Sequence, residues 1–298
     1  MAKQYNLVFV ALSLVTCNLY AGYFDAAIDN VRLNCTGISE KLSDLKRMAG
    51  INTAVTGVGT VAATGATVVG IIKSSVDKDL EIILNPVRNT SGSSANNQSS
   101  EKVIEVYDKL IEKYGTLDNA KNSLVNESKA LGHWRTGMLG TGAATNIAGA
   151  VIAGNNTTDE DFETKIDNCR NAIQKLRDAT MQARTEGLDI SKAENIISEC
   201  NEYNYIDIST INDRAKGAMI SSIVGAATGV AGTVTSAIAN TDKTRSDNDK
   251  AKSLNTVSNV LAGGTAVASG VATVFNATQI SAIKKLVNIA DKCENALK

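Results

Sequence analysis

Four long uncharged stretches, separated by charged and polar segments, set the pattern of this chain. They contain Gly, Ala, Thr and Val more than Leu or Phe, and they extend over Met48–Ile72, Thr136–Thr158, Gly217–Thr241 and Ser253–Ile283. Each exceeds the about 20 residues that an α-helix needs to cross a bilayer. Apolar residues of the intervening segments recur at helical spacing, and the 298 residues include a single proline. The pattern predicts an all-α protein.

The order of these segments predicts two tandem repeats, each a long helical hairpin with amphipathic flanking helices. The first repeat, residues 22–187, has a long connection with a flexible polar loop at 87–100, and the second, residues 188–298, has a short connection. In the first repeat we expect one unbroken helix from Tyr23 to about Leu84. Matching cysteine positions in the two halves support an internal repeat.

Two capping signals predict where shorter helices begin. Thr158 precedes an acidic run and is expected to be the N-cap of the helix that follows. Ser191 and Glu194 have the spacing of a capping box, which predicts a helix beginning at Ser191.

The first 21 residues have the features of an export signal. Lys3 precedes an apolar run, and a small-residue cleavage site follows at Ala21. The alternative is an N-terminal anchor or a lipoprotein acylated at Cys17, although Thr16 fits a lipobox poorly. Both interpretations place the protein in the periplasm, the cell envelope or the extracellular space.

The remaining cysteines, Cys35, Cys169, Cys200 and Cys293, form an even set that predicts two disulfides in an exported chain. Hairpin geometry favours Cys35–Cys169 and Cys200–Cys293, since a hairpin brings its two ends together. The pairing Cys35–Cys293 with Cys169–Cys200, and the crossed set, are the alternatives.

Small residues recur within each uncharged stretch at every fourth position, which favours close packing of helix backbones. The predicted helix-packing positions are Ala62, Ala66 and Gly70; Thr145, Gly149 and Ala153; Ser221, Gly225, Gly229, Thr233 and Ala237; and Ala262, Ala266 and Gly270. In packing style alone, these hairpins resemble those of helical pore-forming proteins and glycine-zipper envelope proteins.

Two functions fit this pattern. The first is an exported, disulfide-stapled protein whose small-residue helices associate in or against a lipid membrane, as an oligomer or pore-like assembly. The second is a soluble extracytoplasmic helical bundle with a structural or adaptor role, because small-residue ridges also occur inside soluble bundles.

Other classes of function lack a sequence signal. With 30 basic and 31 acidic residues the chain has no charge excess for nucleic acid. The lone His133 cannot form a multi-histidine metal site, and no base–nucleophile constellation indicates an enzyme, a cofactor or a small-molecule substrate. Together with Trp134, His133 is explained equally well as an anchor at a boundary between apolar and wet regions or as a partly exposed helix residue.

Overall fold

The computed structural model describes residues 22–84, 98–245 and 247–298, where every regular element is helical. The main helices are α1 (residues 22–35), α2 (Ile38–Leu84), α3 (Gln98–Tyr114), α4 (Leu117–Asn155), α5 (Glu160–Thr185), α6 (Ser191–Cys200), α7 (Ser209–Ala239) and α8 (Asn248–Ala296). A 3-10 helix at Asn201–Tyr205 and one helical turn at Asp242–Arg245 connect them. The predicted all-α fold with long helical hairpins is confirmed.

Two predicted segments fall partly or wholly outside this description. The export signal, residues 1–21, lies outside the described residues, as do residues 87–97 of the predicted loop. Residues 98–100, which the loop was expected to include, belong to α3 instead.

The prediction of one unbroken helix from Tyr23 to Leu84 is wrong. The chain turns at Thr36 and Gly37, between α1 and α2. Gly37 has a φ of +83°, a left-handed conformation that glycine adopts without the steric penalty of a Cβ atom. This turn ends α1 directly after Cys35.

Neither predicted cap residue occupies the N-cap position. Asp159, rather than Thr158, is the N-cap of α5, and its side chain accepts a hydrogen bond from the backbone N–H of Phe162 at 2.8 Å. The helix α6 begins at Ser191, as predicted, but its N-cap is Ile190. Asp189, two residues before Ser191, accepts from the backbone N–H of Ser191 at 3.0 Å.

The described chain divides into two compact units. The disulfide unit contains the residues up to Ile51 together with Ala153–Lys216 and Phe275–Lys298, and the bundle unit contains Asn52–Ile152 and Gly217–Val274. The two units differ from the two predicted repeats, which meet between residues 187 and 188, since each unit contains residues of both repeats. The helices α2, α4, α7 and α8 each contribute residues to both units.

Large apolar side chains fill the core of the disulfide unit. Its fully buried members include Ile38, Leu42, Phe162, Ile166, Ile173, Leu176, Ile196, Ile211 and Ile283. The disulfides Cys35–Cys169 and Cys200–Cys293 lie within this core and have no exposed surface. The favoured pairing is therefore the one formed. The first bridge joins α1 to α5, and the second joins α6 to α8.

Polar contacts fasten the ends of helices in the same unit. Arg32 of α1 donates to the carbonyl oxygen of Leu297, just beyond α8, from Nε at 3.2 Å and from a terminal nitrogen at 3.1 Å. The backbone N–H of Ser39, at the start of α2, donates to Glu294 at 2.9 Å. Tyr203 is fully buried, and this burial raises the pKa of its phenol.

The bundle unit is built from four antiparallel helices. Along α2 the neighbouring residues of α4 run in reverse order, since Gly59 lies beside Thr145 and Gly70 lies beside Arg135. The same reversal holds for α4 with α7 (Gly225 beside Asn146, Gly132 beside Asn240) and for α7 with α8 (Gly264 beside Thr228, Gly232 beside Leu261). The result is an up-down-up-down bundle. A small cluster of Val76, Leu110, Ala120 and Leu124 packs α3 within this unit.

Reduction of both disulfides is expected to destabilise the disulfide unit. The bridges join residues 134 and 93 positions apart. Cross-links that close loops of this length contribute roughly 4–5 kcal/mol each in the chain-entropy model. Urea unfolding with and without reductant, with hydrogen exchange followed in peptides of α5 and α6, measures the loss. The Cys35→Ala/Cys169→Ala variant should respond less to reductant than the wild type, and an unchanged midpoint after complete reduction would contradict the prediction.

Acidification is expected to remove the stabilisation that Asp159 provides. A hydrogen bond from Lys41 at 2.9 Å, followed by that from the N–H of Phe162, lowers the pKa of Asp159. A lowered folded-state pKa stabilises the fold above the ordinary aspartate value of about 4, and this contribution disappears as the pH falls through the folded-state value. Asp159→Asn should therefore be less stable than the wild type at neutral pH and equal to it in strong acid. Asp161→Asn, in the same turn, is the control for a general loss of charge, and a stability gap that does not vary with pH would refute the assignment.

Candidate functional site in the bundle unit

Small residues occupy the inward positions of the bundle unit. Buried positions on each helix are spaced alternately by three and four residues, an average of 3.5 that is typical of a coiled-coil seam. On α2 they are Asn52, Thr56, Gly59, Ala63, Ala66, Gly70 and Lys73, and on α7 they are Ala218, Ser222, Gly225, Gly229, Gly232, Ser236 and Ala239. We refer to these inward positions as the seam.

The predicted stripe of α7 coincides with the seam only in its middle. Gly225 and Gly229 are buried, whereas Ser221 and Thr233 are half-buried and Ala237 is exposed. A strict spacing of four residues advances about 40° per step around a helix of 3.6 residues per turn, so such a stripe leaves the seam after two or three steps.

The predicted positions on the other three helices divide in the same way. The structure places Ala66, Gly70, Gly149, Ala153 and Ala262 in buried positions, and it places Ala62, Thr145, Ala266 and Gly270 in half-buried ones. Among the buried residues, Ala153 belongs to the disulfide unit and the others belong to the bundle unit.

Neighbouring helices leave no room for a side chain at several seam glycines. A Cβ atom added at Gly229 would lie 3.0 Å from the Cα atom of Ala143, and one added at Gly225 would lie 2.8 Å from the side chain of Asn146. At Gly149 the nearest atom, a methyl carbon of Thr56, would be only 2.7 Å away. These glycines are therefore used for packing within a single chain.

Polar side chains connect the helices inside the bundle. Asn146 of α4 donates to the hydroxyl of Ser269 at 2.7 Å, and Thr265 of α8 donates to Thr228 of α7 at 3.0 Å. Ser258 donates to the backbone carbonyl of Gly232 at 3.1 Å. Since a buried polar group without a partner costs free energy, these bonds stabilise an interior that large apolar side chains would otherwise fill.

Many threonine hydroxyls are satisfied within their own helix. Thr56 donates to the carbonyl oxygen of Asn52 at 2.8 Å, and Thr233 donates to that of Gly229 at 2.7 Å. Bonds of this kind, one turn back along the helix, also occur at Thr60, Thr67, Thr145 and Thr228. They satisfy the hydroxyl donor of a threonine that lies in an apolar helix.

Most large apolar residues of the four helices face outward, with the buried Leu139 as an exception. The exposed ones in the parts of the uncharged stretches that belong to the bundle unit are Val58, Val61, Val68, Ile71, Ile72, Ile147, Val151, Ile220, Ile223, Val224, Val230, Val234, Ile238, Val257, Val260, Val267, Val271 and Val274. We call this set the outer apolar face. The bundle unit therefore has small and polar residues inside and Val and Ile outside, the reverse of the disulfide unit.

A buried charged cluster lies where the uncharged part of α2 ends. Lys73 donates to Asp77 at 2.6 Å, and the same carboxylate accepts from Ser128 at 2.5 Å and from Asn255 at 3.1 Å. Arg135, which has no exposed surface, donates to the backbone carbonyl of Asn255 at 3.2 Å. The cluster thus contains one carboxylate, that of Asp77, and two buried cations, Lys73 and Arg135. We call these five residues the basic cluster.

The sequence pattern did not predict the basic cluster. Lys73 and Arg135 are the charged residues that border the uncharged stretches Met48–Ile72 and Thr136–Thr158. Their position at those borders, on helices that pack antiparallel, was the available signal. Burial and the contact with Asn255 of α8 depend on the tertiary structure.

The predicted anchor residues, His133 and Trp134, lie on the surface of the bundle unit. Trp134 is 67% exposed and borders an open groove of about 550 Å³ with Ala62, Met138 and Thr141. Among the described residues, no group of three or more His, Cys, Asp or Glu side chains is placed to hold a metal ion.

Neither a known protein family, nor a curated protein, nor a solved structure matches this chain.

Three of the described helical segments are long and apolar enough to cross a membrane. They are Gly22–Leu84, Ser209–Ala239 and Asp249–Ala296, and no more than 33% of the most apolar window of each is buried in the structure. The helix α4, which carries the second uncharged stretch, is not among them.

Two matched glycine substitutions test the close approach of the helices. Gly229→Ala places a methyl group against the backbone of Ala143 and should lower the free energy of unfolding by about 1–3 kcal/mol. Gly263→Ala, on α8, meets nothing within 4 Å and should raise the same free energy by up to about 1 kcal/mol, because alanine favours a helix more than glycine does.

Denaturant unfolding of the full chain, followed by the fluorescence of the single tryptophan, Trp134, measures both changes. If the two variants shift in the same direction by similar amounts, the seam glycines have no special packing role.

Proposed function

We propose that this chain is an exported protein whose bundle unit lies within a lipid bilayer, with the outer apolar face in contact with lipid. The observation that carries this proposal is the reversed distribution of side chains in the bundle unit. In water, large exposed apolar surfaces are rare and mark an interaction site, whereas lipid tails accommodate Val and Ile directly.

The length of the uncharged helices supports the proposal. On α2, 25 residues separate Arg47 from Lys73 without a charge. At about 1.5 Å per residue this is roughly 37 Å of helix. The hydrocarbon core of a bilayer is about 30 Å thick, so this helix is long enough to cross it with a moderate tilt.

The interior of the bundle also meets the requirements of a bilayer. The hydrocarbon core of a bilayer contains no water to satisfy backbone groups, so a segment that spans it must be helical or part of a closed barrel. Hydrogen bonds such as Asn146 to Ser269 keep polar side chains away from lipid. Small residues at helix contacts are typical of membrane helices, where packing replaces the hydrophobic effect as the source of association.

The disulfides support the exported location. Two disulfides fit an oxidising compartment outside the cytosol, which agrees with the predicted export signal. The disulfide unit, with its apolar core, has the side-chain distribution of a water-soluble domain, so we assign it to the aqueous phase on the oxidising side.

Self-association is a further part of the proposal. Because Gly225 and Gly229 are occupied by contacts inside one chain, an oligomer or pore-like assembly has to use the outward surfaces of the helices. The open groove beside Trp134 belongs to such a surface.

A soluble extracytoplasmic bundle is the second candidate, and the composition of α4 favours it. This helix contains one of the four uncharged stretches, yet it is not apolar enough to be a membrane span by itself. In this alternative the outer apolar face would be covered by a protein partner with a structural or adaptor role.

A lysine on the outer apolar face distinguishes the two candidates. Val267 is 68% exposed near the middle of the uncharged part of α8. Lysine at the centre of a membrane helix costs about 2.5–3.5 kcal/mol, so Val267→Lys should reduce the partition of the full chain into vesicles by roughly a hundredfold. Flotation of the protein with liposomes measures the partition, and circular dichroism verifies that the helices are retained.

Leu33→Lys is the matched control, since Leu33 is 78% exposed but lies in the disulfide unit. It should partition as the wild type does. A wild-type protein that stays in the aqueous phase, or equal partition of Val267→Lys and the wild type, would refute the membrane proposal and favour the soluble bundle. Release of an entrapped dye by the wild type tests the pore-like assembly separately.

A further inference from the structure

We propose that a cavity beside the basic cluster binds a phosphate group. The cavity has a volume of about 290 Å³ and lies within the bundle unit. The basic cluster supplies part of its wall through Lys73, Asp77, Ser128 and Asn255. The inference goes beyond membrane association because it assigns a ligand class to a specific place in the fold.

The charges around the cavity leave an excess of positive charge. Three ammonium groups, those of Lys73, Lys78 and Lys252, line it together with the carboxylates of Asp77 and Glu81. Behind the wall, the fully buried guanidinium of Arg135 adds another cation through its bonds to Asn255, and its Nε has no hydrogen-bond partner. Buried positive charge of this kind is costly unless an anion compensates it.

The carboxylate nearest the buried cations is already saturated. One oxygen of Asp77 accepts from Ser128, and the other accepts from both Lys73 and Asn255. It therefore has little capacity to bind a cationic ligand. Lys78 and Lys252 form no ion pair within the part of the chain that the structure describes, so their ammonium groups are available to an oxyanion.

Phosphate fits this arrangement better than a carboxylate does. It carries up to two negative charges and several acceptor oxygens, which several lysines around one cavity can contact as separate point charges. A cavity of about 290 Å³ is large enough for a phosphate with a small polar substituent. Two sources can supply such a phosphate: a free small molecule and the headgroup of an anionic phospholipid.

The lipid source rests on the proposed function, whereas the chemistry of the site does not. In the membrane arrangement, Lys73 marks the end of the uncharged part of α2, where the hydrocarbon core gives way to headgroups. A phosphate of the surrounding lipid would then be within reach of the cavity.

Titration of the full chain in a phosphate-free maltoside detergent tests the site without a bilayer. Inorganic phosphate and glycerol phosphate serve as probes, and phosphorus NMR or calorimetry detects binding. Saturable binding is expected, with Lys252→Gln weakening it about twofold to fivefold, since Lys252 is a solvent-exposed cation. Lys78→Gln/Lys252→Gln should weaken it about tenfold or more. Both positions are exposed, so the variants should keep the wild-type helix content.

Lys250→Gln is the matched control, because Lys250 is an exposed lysine two residues before Lys252 on α8 that does not line the cavity. The absence of saturable binding by the wild type, or an equal loss in Lys250→Gln and Lys252→Gln, would overturn the proposal. Equal affinity for the two probes supports a free phosphate as the ligand.

Tighter binding of glycerol phosphate than of inorganic phosphate supports a lipid headgroup. In that case vesicles that contain phosphatidylglycerol should bind the wild type more tightly than Lys252→Gln. Vesicles of pure phosphatidylcholine should bind the wild type and Lys252→Gln equally. Because the titration in detergent and the flotation assay are independent, failure of the phosphate site leaves the membrane result unchanged, and the reverse also holds.

Discussion

The bundle unit depends on the short distance between its helix backbones. A carbon added at Gly229 would meet the Cα atom of Ala143 at 3.0 Å, and one added at Gly225 would meet the Asn146 side chain at 2.8 Å. Such an interior has little room for large apolar side chains. Leu139 is buried there, but glycine, alanine, serine and threonine take most of the seam. The larger Val and Ile residues of the same helices must then face outward. One packing constraint therefore accounts both for the small polar interior and for the outer apolar face.

The two units solve the problem of burial in opposite ways. The disulfide unit packs large side chains such as Phe162, Ile166 and Leu176 into a core and adds two covalent links to it. The bundle unit buries few large apolar groups and relies on close backbone contact and hydrogen bonds. The first solution is effective in water, where the hydrophobic effect stabilises a core. The second is suited to lipid, where the hydrophobic effect does not drive helices together.

The charged residues of the bundle unit show why a site is harder to predict than a fold. The all-α architecture and the cysteine pairing followed from segment order, because a hairpin brings its ends together whatever its interior contains. The basic cluster joins Lys73 and Asp77 of α2 with Ser128 and Arg135 of α4 and Asn255 of α8. Helical spacing relates residues only within one helix, as for Lys73 and Asp77, which lie one turn apart. The residues of different helices meet because α4 and α8, which both run antiparallel to α2, place them at the same level of the bundle.

The sequence by itself determined the helical class and the hairpin order, since both depend on periodicity and chain connectivity. It favoured the disulfide pairing that the structure shows but left two rival pairings open. It also determined that small residues mediate helix contact, but a strict four-residue stripe turns away from the seam, so the inward face was decided by the 3.5-residue period of the packed helices. The break at Gly37 and the two aspartates at helix starts are local features that the sequence patterns did not distinguish, since each aspartate bonds to a backbone N–H only two or three residues away. The basic cluster was decided by tertiary structure. The physical reason is that the inward face and the basic cluster depend on which groups meet in space, and local propensity carries no information about a partner on another helix.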